Sequence, residues 1–259
     1  IMLKSNLPAK ALLSVVHLLY GIITQLIATV RWLRQPARRN LNRSQENDVI
    51  ERAVQGLEKL PQHLAVILGP APPDYQALAR FVFWCMSAKI GFVTFYDRNG
   101  LLKANFHRMM EHVNQGPRDK REQIVWTPQL KSTNSLLPPR NGYRRRIVVN
   151  FFSYEDGRKQ LVAAARSISA DLRDGALSKP SEITVELVDR TMQKLVHQVP
   201  DPDLAVYFGP VCCTYGMLPW QIRLTEFVSL PAPNAAKLRV EHFINCLFKY
   251  AKCEQRFGK

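Results

Sequence analysis

His63-Leu64-Ala65-Val66-Ile67-Leu68, running into Gly69-Pro70-Ala71-Pro72-Pro73-Asp74, is the stretch on which the fold turns. A short apolar run without alternation, closed by Gly and Pro, reads as a strand buried on both faces. Asp74 to Lys89 then carries apolar residues at helical spacing, and Phe92-Val93-Thr94-Phe95-Tyr96 reads as the next strand. Strand, helix and strand in that order imply a parallel crossover, which needs a helix to span it.

The same alternation continues outward. Leu101 to Val113 reads as helix, Arg146 to Phe151 as strand, and Glu155 to Leu172 and Glu182 to His197 as helices. Leu204 to Phe208 and Glu226 to Leu230 are short strands, and Ala235 to Gln255 is the final helix. Gln115 to Asn141 carries several prolines and charges without a clear period, and reads as a surface loop excursion. The pattern predicts an α/β fold with a mostly parallel central sheet flanked by helices. No internal repeat or low-complexity tract interrupts it. A polar helical stretch, Gln45 to Leu60, joins this domain (residues 45–259) to an amino-terminal segment (residues 1–44).

That segment is of another kind. Ala11 to Val30 holds no formal charge, and about 20 apolar residues are what a helix needs to cross a bilayer core of about 30 Å. Arg31, Trp32 and Arg34 follow as an interfacial anchor, and the basic excess on that side places the carboxy-terminal bulk in the cytosol. The expectation is an N-terminal membrane helix in contact with lipid. A cleaved signal peptide and a helix lying in the interface are the competing readings. Because the chain opens at Ile1 with Met2 behind it, a preceding segment stays open.

The formal charge of +15 calls for an anionic partner: nucleic acid, an acidic leaflet or a phosphorylated substrate. Five of the nine basic residues before Leu60 fall between Arg31 and Arg43, beside the apolar segment. The remaining excess is dispersed, and no interleaving of aromatic and basic residues marks a nucleic-acid surface. Nucleic acid is therefore not an expected partner. Five cysteines without a C-x-x-C pair exclude a disulfide framework and a structural zinc site.

Three stretches could carry chemistry. In open α/β sheets ligands bind beyond the carboxyl ends of the strands. There, Gly69 to Asp74 offers three prolines that lack backbone donors, and no Asn, Ser, Arg or Lys to replace them. A phosphate cradle needs convergent N–H groups or cations, so this loop reads as a disabled site. Glu226, at the start of a strand, could bind a hard cation, but as a lone carboxylate it reads first as solvated or salt-bridged. Trp220 and Arg223 read in the same way as an interface aromatic and a surface charge. The third stretch is the tail, Cys253-Glu254-Gln255-Arg256-Phe257-Gly258-Lys259. Arg near a helix end with Gly after it is an ordinary cap. The functional reading is an Arg256 fork for phosphate oxygens, with Gly258 allowing close backbone approach.

From about Leu60 onward the sequence resembles the cis-prenyltransferase superfamily. Within it the resemblance is to the accessory subunits of eukaryotic dehydrodolichyl diphosphate synthase, the Nogo-B receptor family. It rests on Tyr96-Asp97, Asp201-Pro202-Asp203-Leu204 and Phe208-Gly209-Pro210-Val211. It rests further on Leu218-Pro219-Trp220, Ile222-Arg223-Leu224-Thr225-Glu226, Val228-Ser229-Leu230-Pro231, and Tyr250-Ala251 with Cys253 to Lys259.

Active members carry an Asp-Gly-Asn-Gly-Arg type loop, whose Asp holds Mg²⁺ and whose Arg holds diphosphate, where this chain has Gly69-Pro70-Ala71-Pro72. They also carry an Arg-Thr pair where this chain has Tyr207-Phe208. The glutamate matching Glu226 is kept without its partners, so no metal site of this chain's own is implied. The resemblance implies a chain with no catalytic residues of its own. It would work at the endoplasmic reticulum membrane beside a catalytic cis-prenyltransferase subunit. That complex would build polyprenyl diphosphate from farnesyl and isopentenyl diphosphate for dolichol and protein glycosylation. The Arg256-Phe257-Gly258 tail would cross the interface to bind isopentenyl diphosphate in the partner's Mg²⁺-dependent site, with Phe257 as packing support. The rival expectations are a membrane receptor or scaffold with a relic fold, and a self-sufficient homodimeric enzyme.

Overall fold

A computed structural model of the chain describes residues 12–23, 42–115, 122–129, 145–195, 199–209 and 211–254. By compactness it separates into two units, Ile1–Asn42 and Arg43–Lys259.

In the first unit the described helix α1 covers residues 12–23. Its apolar side chains are exposed all round, from Leu13 at 57% and Val16 at 53% to Ile23 at 53%. Among the described residues no helix is long and apolar enough to cross a membrane. The expected span over Ala11 to Val30 is described only from 12 to 23, and the rest of it lies outside the described residues.

The second unit is built on six strands: β1 (His63–Ile67), β2 (Phe92–Tyr96), β3 (Glu122–Trp126), β4 (Arg145–Phe152), β5 (Leu204–Phe208) and β6 (Glu226–Leu230). They form one sheet in the order β3-β4-β2-β1-β5-β6, and every neighbouring pair is parallel. All five residues of β1 are buried, as the unbroken apolar run at its position requires of a central parallel strand. The helices are α2 (Arg43–Val54), α3 (Tyr75–Ser87), α4 (Leu101–Ala104), α5 (Phe106–Gln115), α6 (Arg158–Arg173), α7 (Val185–Leu195) and α8 (Val240–Ala251).

Alternation along the strands gives the sheet two apolar faces. On one, Ala65, Ile67, Tyr96, Phe152 and Ala205 pack with Ala164 of α6, Met192 of α7 and the buried pair Met217 and Leu218. On the other, Phe95 meets Phe81 of α3 edge-on, with ring centroids 6.2 Å apart, and Phe81 meets Phe243 of α8 at 5.2 Å. The helix α2 lies against α3 and α8. Its Glu46 is 3% exposed and accepts from Trp84 Nε1 at 2.9 Å and Arg80 Nε at 3.0 Å.

Three sequence readings are corrected. The loop excursion from Gln115 to Asn141 contains the edge strand β3, whose charged start hides the pattern; Glu122 pairs with Arg145 of β4 at 3.6 Å. The helix expected over Leu101 to Val113 breaks at Asn105, whose Nδ2 donates back to the Leu101 carbonyl at 2.9 Å and ends α4. The final helix starts at Val240 rather than Ala235, because Leu238 and Arg239 are extended between it and a short turn capped by Asn234.

Candidate functional site

The Gly69–Asp74 loop leaves the carboxyl end of β1, where the fold would place a ligand. Behind it begins α3, whose free amides would be the natural anion site. Asp74 takes that position itself. Its backbone is extended, and its side chain accepts from the amide of Ala77 at 2.9 Å. The helix start thus carries a resident carboxylate, repelling a diphosphate, while Pro70, Pro72 and Pro73 contribute no N–H.

Beside this loop stand the ends of β2 and β5. Tyr96 is fully buried and donates through its hydroxyl to the carbonyl of Tyr215 at 2.7 Å. Burial pushes its phenol up to about 12, so it stays a donor. Asp97 is also buried and spent locally, accepting from the amides of Asn99 at 3.0 Å and Leu102 at 3.1 Å. Tyr207 and Phe208 end β5 half-buried, with Gly209 at φ +90° behind them.

The segment after β5 then folds back over the crevice. Met217 and Leu218 are buried against Ile67, Tyr96 and Ala205. Their approach forces two non-glycine residues into positive φ, Tyr215 at 51° and Leu218 at 28°. It also brings Gly216 so close to Gly157 that a Cβ on Gly157 would overlap the Gly216 carbonyl oxygen. Where an active site would be open, this chain has its own backbone, aromatic rings and a methionine. Among the described residues no group of three or more His, Cys, Asp or Glu side chains is placed to hold a metal ion.

Glu226 lies at the other edge of the sheet. It opens β6, and its amide donates to the carbonyl of Asp203 at 3.0 Å. Near it the Tyr250 phenol is pushed up to about 12 by burial and by the carboxylates of Asp203 and Glu226. Trp220 and Arg223 are engaged with each other and with one carboxylate. The guanidinium stacks 3.9 Å above the indole, both side chains donate to Asp189 Oδ1, and the Arg223 bond is 3.2 Å. The structure does not bring these residues to the Gly69–Asp74 loop.

The tail residues Arg256, Phe257, Gly258 and Lys259 lie outside the described residues. Their point of departure is described. The helix α8 packs on β6 and runs back toward the amino ends of the strands, where Lys59 Nζ donates to the carbonyl of Cys253 at 3.4 Å and lies 4.4 Å from the Tyr250 ring. Glu254 therefore leaves the domain at the edge opposite the Gly69–Asp74 loop.

Sequence reasoning passed over two of these features. An Asp directly before an apolar helical run is a helix-start signal, so the Asp74 cap was available from the sequence. The plug formed by Tyr215 to Leu218 had no local signal, because its apolar residues cover a surface distant along the chain.

No family model matches the chain. It is 35% identical over 208 residues to a mouse protein named dehydrodolichyl diphosphate synthase complex subunit Nus1, covering 80% of this chain and 68% of the mouse protein. The human protein of that name is 32% identical over 213 residues, covering 79% and 69% respectively. Among solved structures, lavandulyl diphosphate synthase from Lavandula x intermedia, in complex with dimethylallyl diphosphate, superposes with a TM-score of 0.56. It shares 17% identity and is covered over 99% of its length by 77% of this chain, a likeness of fold.

Proposed function

The chain belongs to the Nus1 family of dehydrodolichyl diphosphate synthase complex subunits, and from that footing we propose that it activates a catalytic cis-prenyltransferase subunit without catalysing prenyl transfer itself. The complex makes long-chain polyprenyl diphosphate from farnesyl and isopentenyl diphosphate, for dolichol synthesis and protein glycosylation. The carrying observation is the contrast between the two edges of the sheet. The crevice at the carboxyl edge is plugged by Met217 and Leu218 and faced by the Asp74 carboxylate. The chain end departs from the opposite edge, beside Lys59 and Tyr250.

That geometry supports a tail used in trans. Arg256 lies two residues beyond Glu254, and an extended stretch of that length reaches at most about 7 Å. A neighbour docked beside β6 and α8 is a nearer target than this chain's own loop. Arg256 supplies a guanidinium fork to a diphosphate, and Gly258 lets the backbone approach it. Fixed cationic donors of this kind stabilise the charge that develops on a leaving diphosphate.

Mg²⁺ does not fit this chain's crevice, where Gly69 stands in the place of the carboxylate ligand and the one carboxylate of the loop, Asp74, is spent on capping α3; the ion is assigned to the catalytic subunit. The exposed apolar surface around α1 supports insertion of the amino-terminal segment into the endoplasmic reticulum membrane, with the α/β domain cytosolic.

The test is prenyl transfer by the full chain alone, by its mixture with a catalytic subunit, and by the mixture lacking the last four residues. The expected results are silence, activity, and an assembled complex slowed by about 10²–10³. Elongation of farnesyl diphosphate by the chain alone would overturn the proposal. Absence of any stimulation would favour a membrane receptor or scaffold instead.

A further inference from the structure

On the α6–α7 face a cavity of about 260 Å³ opens between the start of β1, the end of β4, α7 and the segments before β5 and β6. It shares Leu218 with the plug of the crevice, and neither the tail nor the dolichol reading uses it. Its floor is apolar, made by Phe152, Met192 and Leu218, which are each at most 6% exposed. Its polar lining is His63, Asp189, Gln193, Asp201, Trp220 and Gln221.

The hydrogen-bonding capacity left over in this lining is largely that of acceptors. His63 is spent: Nδ1 donates to the Pro200 carbonyl at 2.5 Å, which leaves Nε2 to accept from the Thr94 hydroxyl at 2.7 Å. Burial pushes the imidazole down to about 4, so it brings no positive charge to the cavity. The Trp220 indole N–H is committed to Asp189, which is also held by Arg223. Asp201, at the rim, accepts no hydrogen bond among the described residues, and its carboxyl is pushed up to about 6 by partial burial and by the neighbouring Asp189, against the opposing pull of the Arg223 charge. The Oε1 of Gln221 is shielded and without a hydrogen-bond partner among the described residues.

We propose that this cavity binds a protonated primary amine carried on a short apolar body, with the ammonium at Asp201 and the body against Phe152, Met192 and Leu218. An ammonium has three donors and no acceptor, the complement of what the lining offers. At about 30 Å³ per water-sized group, the space holds a ligand of roughly nine non-hydrogen atoms. The same chemistry is offered by a free small amine and by a lysine side chain of the catalytic subunit, and the two sources are separable by experiment.

The probe is 2-phenylethylamine, measured by equilibrium dialysis against the full chain, alone and in its complex with the catalytic subunit. Saturable binding with a Kd of about 1 mM or tighter is expected for the chain alone. It should weaken by up to about fivefold in Asp201→Asn, a rim substitution that leaves the core intact, and 2-phenylethanol should fail to compete. Retention of binding by the complex identifies a free-amine site. Loss of binding in the complex, together with weaker assembly of the Asp201→Asn chain, identifies a lysine from the catalytic subunit. Equal binding by Asp201→Asn, equal competition by the alcohol, or no binding to the chain alone would each overturn the assignment. None of these outcomes depends on prenyl transfer, so failure here is distinct from failure of the proposed function.

Discussion

Oδ1 of Asp74 lies 2.9 Å from the amide nitrogen of Ala77, so the helix end that faces the Gly69–Asp74 loop is occupied by the chain's own carboxylate. In a diphosphate-binding loop that helix end would meet the ligand with open amides. Here one residue both stabilises α3 and disqualifies the site. Removing it does not restore the missing donors, because Pro70, Pro72 and Pro73 stay in place.

Asp74→Ala should therefore cost about 0.5–2 kcal/mol of stability, the usual worth of such a cap. It should confer no affinity for isopentenyl diphosphate. Urea unfolding of the full chain measures the first effect and a diphosphate-binding titration the second. Measurable diphosphate affinity in the variant would mean that the cap alone had closed the site.

Arg256→Ala tests the other end of the chain. The residue follows Glu254, which leaves the domain beside Lys59 and Tyr250, and no described packing depends on it. The expected outcome is a complex that co-purifies at unchanged stoichiometry and turns over about 10²–10³ more slowly. Arg256→Lys should recover only part of the loss, since an ammonium cannot make the bidentate fork. Unchanged turnover by an intact complex would remove the tail from the mechanism.

Gly157→Ala addresses the plug. A Cβ there would overlap the Gly216 carbonyl, and backbone cannot move aside as a flexible side chain can. The segment carrying Tyr215 and Leu218 would have to shift, breaking the hydrogen bond from the Tyr96 hydroxyl to the Tyr215 carbonyl. A destabilisation of about 1–3 kcal/mol is expected from forced overpacking of this kind. Thermal unfolding measures it, and faster amide exchange around Met217 would locate it.

Much of this architecture was legible in the residues. The apolar runs at His63–Leu68 and Phe92–Tyr96 match β1 and β2 because central parallel strands are buried on both faces and need no alternation. The missing donors of Gly69 to Asp74 were readable because proline's lack of an N–H is covalent and independent of the fold. The edge strand β3 was not legible, since a strand paired on one side tolerates Glu122 and Gln123 among its five residues. The plug was hidden for a different reason. Met217 and Leu218 bury against Ile67 and Tyr96, residues more than a hundred positions away, and no local period encodes such contact.

Glu46→Ala should loosen α2, the helix that begins the α/β unit. Glu46 is 3% exposed and satisfies both the Trp84 indole N–H and the Arg80 guanidinium. Arg80 can turn to solvent, being nearly half exposed, but the buried indole N–H loses its acceptor. Leaving such a donor unmet costs about 1–3 kcal/mol. Glu46→Gln keeps a carbonyl oxygen for Trp84 and should recover part of the loss in chemical unfolding. Equal losses in the two variants would show that packing, rather than the hydrogen bond, holds the helix.

His63 gives the domain a pH dependence whose sign follows from its burial. Its imidazole is pushed down to about 4 from an ordinary value of 6.5, chiefly because burial penalises the charged ring. Between pH 6.5 and 4 the unfolded chain takes up a proton that the folded chain refuses, so this stabilising contribution is present at neutral pH and is lost as the pH falls. The shift corresponds to about 3 kcal/mol when complete. Asp201 works in the opposite sense, because its carboxyl is pushed up to about 6 and binds its proton first in the folded state. Comparing the wild-type chain with His63→Gln cancels the Asp201 contribution, which both share. The stability difference between them should move by about 3 kcal/mol in favour of the variant from pH 7 to pH 4. A difference that stays constant over that range would show that His63 is charged, or exposed to solvent, in the folded protein.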